Sequence, residues 1–432
     1  MNRSFDTVFA PSSAVGGAIC VIRVSGAGAR AVARAVLDTP VFEHPNLLRH
    51  ARILRNGKPV DDCMAVYFCA PKSYTGEDVL ELHCHGGMQT VRAVLETLSL
   101  SGAVPAEAGE FTKRAFLNGK MDLSQAEAVM DVINAQSERG LKAALEQLGG
   151  SVSGRIRHAQ ELLLDVRAAI EAAIDYPDEA ELDESCTEML ADAEAELCAL
   201  IEEGRRGRVL RDGLKIAILG RPNVGKSSLL NALLGQDRAI VTAAAGTTRD
   251  VLDERAVIGG VPVRLIDTAG LRDASDEAER IGVERAKQAM DGADVLLIVL
   301  DGSVPLTDAE RALLSETAGR KRIVAANKSD LGADTEGDLS ISCKTGEGVE
   351  ALKARLASFA DAAGQSACIT NERHIRALEL ALEAVRRAET QTEPDCIATD
   401  VQEALHQLGT ITGTDVDAEV IDRIFSDFCV GK

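Results

Sequence analysis

The sequence lacks long apolar runs, paired cysteines and an excess of positive charge, and each absence excludes a class of protein. The longest strongly apolar stretch is Val295 to Leu300, far below the roughly 20 residues that a membrane-spanning helix needs. Met1 to Gly17 has no basic start followed by an apolar segment, so neither export nor a membrane anchor is expected. The ten cysteines are spread along the chain without C-x-x-C pairs, which predicts reduced thiols in the cytoplasm rather than a disulfide framework. His83-Cys84-His85 has metal-ligand chemistry, but no second cluster at ligand spacing accompanies it and the strand-like Val79 to Leu82 precedes it, so an ordinary strand is the plainer reading. The net charge of -21 argues against a broad nucleic-acid face, which needs clustered cations to displace counterions. Only short basic runs occur, at Lys113-Arg114, Arg205-Arg206-x-Arg208, Arg320-Lys321-Arg322 and Arg373-His374-x-Arg376. Solvated surface is the default reading of each.

What is present suits a multidomain protein. A length of 432 residues with 46% hydrophobic content allows about three domains with real cores. Residues 1–119 read as a compact mixed α/β domain, with strand-like Ala18 to Val24 and Ala65 to Phe68 between turn residues. From Asp122 the pattern becomes helical, with Ser124-x-x-Glu127 as a possible capping box and Met130, Ile133, Leu141, Leu145 and Leu148 near one face up to Gly149-Gly150. A second helix carries Ile156, Leu163, Val166, Ile170 and Ile174 before Tyr176-Pro177 interrupts it, and a third runs to about Leu210. At Leu214 short apolar strands begin to alternate with helices until about Phe359, after which the chain is helical again. The expected fold class is therefore multidomain α/β plus all-α. It comprises an N-terminal α+β domain (1–119), a helical domain in two parts (120–212 and 363–432) and a Ras-like P-loop domain (213–362) inserted between those parts.

The insert carries its chemistry in sequence order. The strand Lys215 to Leu219 runs into Gly220-Arg221-Pro222-Asn223-Val224-Gly225-Lys226-Ser227-Ser228 and then a Leu-rich segment, the strand, loop and helix order of a phosphate cradle. Its glycines let backbone N–H groups face the phosphates, Lys226 adds a point charge and Ser227 a hydroxyl for magnesium. Asn327-Lys328-Ser329-Asp330 and Ser342-Cys343-Lys344 each follow a strand-like segment. The Asp330 carboxylate can accept two hydrogen bonds from guanine, whereas adenine offers no such donor pair, so GTP is expected over ATP. Between these lie Thr242-Ala243-Ala244-Ala245-Gly246-Thr247-Thr248-Arg249 and Asp267-Thr268-Ala269-Gly270. There Thr248 can complete the magnesium shell and the Gly270 amide can reach the γ-phosphate. Both are switch segments by position, so a conformational output on hydrolysis is expected. One usual part is missing: the position after Asp267-x-x-Gly270 is Leu271, which cannot orient an attacking water as the glutamine of Ras-like enzymes does. Another polar group, drawn from the acidic stretch Asp273 to Glu284, has to do so.

With these residues in hand, the whole chain resembles the MnmE (TrmE) family of tRNA-modification GTPases. The resemblance rests on Ser73-Tyr74-Thr75-Gly76-Glu77-Asp78 leading to His83-Cys84-His85-Gly86-Gly87, on Gly109-Glu110-Phe111-Thr112-Lys113-Arg114 continuing to Lys120, on Gly246-Thr247-Thr248-Arg249-Asp250 within the inserted domain, and on Phe428-Cys429-Val430-Gly431-Lys432. It implies an N-terminal domain that forms a homodimer and binds a tetrahydrofolate one-carbon derivative (5-formyl- or methylene-tetrahydrofolate), with Arg23, Glu81, Lys120 and Lys432 at the matching positions. It also implies a potassium ion held by Asn223, Thr242, Ala244 and Thr247, a magnesium ion on Ser227 and Thr248, and Glu279 as the water-orienting group. The implied partner is an FAD-dependent MnmG (GidA)-like protein in a heterotetramer or larger complex. With it, the carbon from folate builds an aminomethyl-type group, such as carboxymethylaminomethyl, on C5 of the wobble uridine (U34) of certain tRNAs. That partner can carry much of the tRNA binding, which reconciles the function with the acidic charge. Cys429 is a candidate nucleophile by position, beside a packing or folate-site role. The rival reading is a ribosome-assembly or translation-associated GTPase switch. It is disfavoured because residues 364–432 have glycine only at Gly364, Gly409, Gly413 and Gly431, which leaves no G-x-x-G loop of a KH module. A folate enzyme with a vestigial GTPase fits poorly with a full set of nucleotide elements.

Overall fold

The computed structural model describes residues 6–175, 184–235, 253–267, 290–332, 337–361 and 369–432. The chain divides into two compact units, residues 1–130 with 406–432 and residues 131–405.

The first unit is built on a six-stranded sheet of β1 (Val8–Pro11), β2 (Ile19–Ser25), β3 (Arg49–Arg55), β4 (Lys58–Phe68), β5 (Val79–His85) and β6 (Val104–Pro105), in the order β3-β4-β5-β2-β1-β6. All pairings are antiparallel except β1 with β6. Side chains alternate along each strand with a period of two, which gives the sheet two distinct faces. Cys20, Ile22 and Val24 of β2 and Leu80, Leu82 and Cys84 of β5 are buried in one core with helices α1 (Ala29–Val36) and α2 (Met88–Leu100). The same alternation puts Arg23 and Glu81, which are direct cross-strand partners, on the opposite face.

Helix α3 (Glu110–Leu117) comes next, then α4 (Leu123–Asn134). The returning C-terminal segment completes this unit with α13 (Ala418–Ser426) and the tail. Phe425 and Phe428 are buried with Leu123 and Ala126, their ring centroids 5.1 Å apart. Ala108 bridges to Val430, and the Phe111 N–H donates to the Lys432 carbonyl at 3.1 Å. Gly431 sits at φ +101°, where a Cβ would lie 1.9 Å from the Pro11 carbonyl oxygen. Only glycine meets both conditions.

The second unit contains α5 (Glu138–Leu148), α6 (Ser151–Asp175), α7 (Glu184–Asp212), α11 (Glu372–Thr390) and most of α12 (Pro394–Thr412), together with a second sheet. The strands are β7 (Leu214–Leu219), β8 (Asp253–Ile258), β9 (Val261–Asp267), β10 (Val295–Asp301), β11 (Arg322–Asn327) and β12 (Leu339–Ser340), ordered β12-β11-β10-β7-β9-β8. Only β8 runs antiparallel. Every residue from Val295 to Leu300 is buried, as a central parallel strand covered on both faces requires. Helices α8 (Lys226–Leu234), α9 (Asp308–Glu316) and α10 (Val349–Asp361) belong to the same region, and α9 starts with a full capping box of Thr307 and Glu310. The chain leaves β7 for β8 and β9 on one side and later returns to β10 and β11 on the other, so the loop after β7 lies at the switch point of an open α/β sheet.

Three expectations are corrected. The helix read from Asp122 to Leu148 is two helices, because Ser137 caps a new one by accepting from the Gly140 N–H at 3.0 Å. The predicted face enters the core only in part: Met130 packs against the cluster of Leu123, Ala126, Phe425 and Phe428, while Ile133, Leu141 and Leu145 are exposed. The capping box at the start of α4 is Asp122-x-x-Gln125, with Gln125 N–H to Asp122 Oδ1 and Asp122 N–H to Gln125 Oε1 both at 3.0 Å. Ser124 is already inside the helix and buried, its hydroxyl on Asp122 Oδ1. In α6 the predicted face holds for Ile156, Leu163, Val166 and Ile170, all fully buried, while Ile174 is exposed.

Candidate functional site

The phosphate-loop residues lie between β7 and α8. Gly220 and Gly225 have φ of +147° and +100°, and Asn223 is held at φ +65°. A Cβ at Gly225 would lie 2.3 Å from Asn327 Nδ2, so glycine is needed where the loop passes the base-reading strand. Lys226 is buried, with its ammonium 2.6 Å from the Gly220 carbonyl oxygen and 2.9 Å from that of Arg221. Its charge is thereby held against the loop at the start of α8, where the helix dipole also favours an anion. Ser227 and Ser228 are exposed in the first turn, and Val224 is buried below them.

Parallel pairing brings the second set of residues to the same sheet edge. β11 ends at Asn327, whose side chain donates to the Val224 carbonyl at 2.8 Å and accepts from the Cys343 N–H at 3.1 Å. One buried amide thus ties the phosphate loop to the Ser342-Cys343-Lys344 loop. The Ser342 hydroxyl donates to Asp330 Oδ1 at 2.7 Å, leaving the other carboxylate oxygen for a ligand. Lys328, at φ +69°, pairs with Asp301 at 2.6 Å. Burial pushes the Asp301 carboxyl up, but hydrogen bonds from Lys328 and Ser303 outweigh it and hold the group below its ordinary value. Asp301 is not singled out by sequence reasoning; its signal is an Asp-Gly-Ser turn ending the most apolar strand. Asp267 closes β9 and is in register with Ile218 of β7, beside the loop. Thr242, Ala243, Ala244, Ala245, Gly246, Thr247, Thr248, Thr268, Ala269, Gly270, Leu271 and Glu279 lie outside the described residues.

A separate polar cluster occupies the outer sheet face of the first unit. Arg23 pairs with Glu81 Oε1 at 2.8 Å, both largely buried, and its guanidinium lies 5.0 Å from the Tyr74 ring centroid and 5.4 Å from that of Phe111. Glu81 Oε2 lies 3.8 Å from His83 Nε2. Lys120 donates to the Pro71 carbonyl at 3.0 Å, and Lys432 meets Phe111 through its carbonyl. Arg23 and the Lys432 backbone thus meet Phe111, Glu81 joins them through Arg23, and Lys120 lies against the Pro71 carbonyl. Cys429 is exposed, and its carbonyl accepts from the Lys432 N–H at 3.3 Å. The surrounding loop is held by Arg114, which bonds Glu77 at 3.2 Å and Glu110 at 2.7 Å, while Ser25 bonds Thr75 at 2.7 Å and Glu77 at 2.8 Å. Thr75, Phe111, Thr112, Arg114 and Ala115 of the Ser73–Asp78 and Gly109–Lys120 motifs are thus a buried scaffold.

The chain is similar to known proteins over its whole length. The profile of the MnmE helical domain matches residues 123–429, and that of the GTP-binding protein TrmE N-terminus matches residues 7–120. The tRNA modification GTPase MnmE of Lactiplantibacillus plantarum is 43% identical over 465 aligned residues, covering 100% of this chain and 99% of the relative. That of Streptococcus thermophilus is 41% identical and covers 100% of both. Among solved structures, the G domain of the T. maritima FeoB iron transporter is similar at 27% identity, covering 34% of this chain and 98% of that one with a TM-score of 0.26. From the nucleotide elements at one sheet edge and full-length similarity of this strength, the chain is a GTPase and belongs to the MnmE (TrmE) family of tRNA modification GTPases.

Proposed function

We propose that this chain is the GTP-hydrolysing subunit of a complex that modifies C5 of the wobble uridine in certain tRNAs, using a tetrahydrofolate one-carbon unit and an FAD-dependent MnmG-like partner. The observation that carries the nucleotide part is Asn327, whose buried amide joins the phosphate loop to the loop that orients Asp330. The tRNA part is supported by the tRNA-modification role for which the full-length relatives are named. In this reading the chain acts as a cytoplasmic homodimer of four segments, 1–119, 120–212, 213–362 and 363–432, with the first binding folate.

The residues at hand suit their assignments. Lys226 holds positive charge at the phosphate loop, and Asp330 keeps an oxygen available to accept from guanine. Ser227 with Thr248 would hold magnesium, and Asn223, Thr242, Ala244 and Thr247 potassium. Together these ions supply neutralisation of the charge that builds on the transferring phosphoryl group. The exposed Asn223 side chain on a left-handed backbone suits a ligand role, and Glu279 orients the water that Leu271 cannot. In the first unit Glu81 Oε2 can accept from a pterin donor edge, while the cations Lys120 and Lys432 suit the carboxylate of a folate. Cys429 is carried forward as a nucleophile candidate, and a Cys429→Ser variant that modifies tRNA normally would end that role.

Hydrolysis is expected to be at least tenfold faster in potassium than in sodium, since an equivalent transition-state cation in other GTPases is worth about 10³–10⁵ in rate. Equal rates in the two salts would remove potassium from the mechanism. In cells lacking the chain, mass spectrometry of tRNA should show wobble uridines without the aminomethyl-type group. Unchanged uridines would falsify the modification role.

A further inference from the structure

Two short basic runs that look like ordinary surface in the sequence meet in the fold. Arg205 and Arg208 lie three residues apart on α7, and Arg373 and Arg376 three apart on α11, so each pair shares one helix face. Both pairs line a cavity of about 510 Å³ with Glu372, Glu379 and Ile375. The helices approach so closely that a Cβ on Gly204 would lie 2.8 Å from Ile375 Cγ1. Ile375 is itself part of the lining.

We propose that this cleft binds backbone phosphates of RNA. The lining gathers four arginines with Glu372 and Glu379, and Glu202 and Asp294 pair with Arg205 and Arg208 from beside it, an arginine-rich site in a chain of net charge -21. Arg205 is held by Glu379 at 2.8 Å and Arg208 by Asp294 at 3.0 Å, and Arg376 is 3.8 Å from Glu379. These pairs orient the guanidinium forks and leave further N–H donors on each. The two cations on α11 stand in its first turns, next to the Asn371 cap, where the helix dipole disfavours positive charge. A local rule broken at an exposed cluster points to a ligand rather than to stability. The ligand class is set by the donors: guanidinium forks match phosphate oxygens, and among the described residues the lining offers no aromatic ring on which a base could stack. Contact is therefore to the sugar-phosphate backbone and independent of sequence. The inference rests on the reading that this chain acts on RNA.

The test is filter binding of an unmodified tRNA transcript by the full-length protein across a potassium chloride series, with GTP hydrolysis measured in parallel. The variant Arg373→Ala/Arg376→Ala should bind about tenfold more weakly, with a log–log salt slope shallower by about 2. Its hydrolysis rate should be unchanged, and Arg373→Lys/Arg376→Lys should keep most of the salt slope. A double alanine variant with wild-type affinity and slope overturns this inference alone, whereas a wild-type protein that binds no tRNA at any salt overturns the RNA reading as well. If inorganic phosphate or triphosphate binds the wild type, not the alanine variant, and tRNA binds both equally, the cleft serves a free anion and the RNA assignment is wrong.

Discussion

At the scale of single residues, the nucleotide edge depends on hydrogen bonds that leave little slack. Asp330 is oriented by Ser342 and Lys328 by Asp301, so on the proposed reading loss of the Asp330 carboxylate would remove charged hydrogen bonds that guanine alone can use. Asp330→Asn should weaken GTP binding by roughly 100-fold, as titration with a fluorescent GTP analogue will show. Ser342→Ala, which only frees the carboxylate, should cost about tenfold or less. The thiols divide by burial. Desolvation, reinforced by neighbouring thiols and carboxylates, pushes Cys63 and Cys84 up to about 12. At pH 8 iodoacetamide mapped by mass spectrometry should therefore label the exposed Cys69, Cys396 and Cys429 and spare Cys63 and Cys84. A raised thiol value favours the protonated folded form. Its contribution to stability is therefore complete below the ordinary value of 9.0 and is lost as pH rises from there towards 12. Denaturant midpoints at pH 8 and pH 10.5 check the sign.

At the scale of elements, alternation along β2 and β5 decided the first unit: one face became core and the other received Arg23 and Glu81. That was legible in strand-like residues 18–24, but the partner strand and its register were not, because pairing is a long-range choice. The helical reading failed where caps compete. Asp122 displaced Ser124 as the cap, and Ser137 broke a periodic face that sequence alone could carry straight through. The C-terminal tail is an element of the same kind, held by backbone contacts. Gly431→Ala combines a left-handed φ with a Cβ contact of 1.9 Å to Pro11, so the tail has to leave its seat. Hydrogen exchange at the Phe111 amide should rise, and the first unit should lose about 1–3 kcal/mol in a denaturant titration. Protection equal to wild type would show that the tail does not depend on this glycine.

At the scale of the whole molecule, the chain leaves the first unit after Met130 and returns to it at His406. The buried pair Phe425 and Phe428 comes from the returning part and covers Leu123 and Ala126. A fragment of residues 1–130 alone should therefore bind more hydrophobic dye and melt lower than the same fragment co-expressed with 406–432. Identical melting curves would show that the return segment adds nothing to this core. The same return makes the Phe-Cys-Val-Gly-Lys motif and the Gly-Glu-Phe-Thr motif at the start of α3 two sides of one contact.

The sequence by itself determined the nucleotide chemistry, because phosphate cradling and guanine reading depend on residues within short, local strand–loop units. Gly225, Lys226, Asn327 and Asp330 are recognisable wherever the strands end up. It also determined the missing glutamine at Leu271. Tertiary structure alone decided which distant residues became neighbours. It made Asn327 a bridge to Val224 and Cys343, joined Lys328 to Asp301, set Arg23 against Glu81, and gathered four arginines of α7 and α11 around one cleft. Such pairings come from strand order and helix approach, which are settled by burying apolar faces over the whole chain and leave no signature in any single segment.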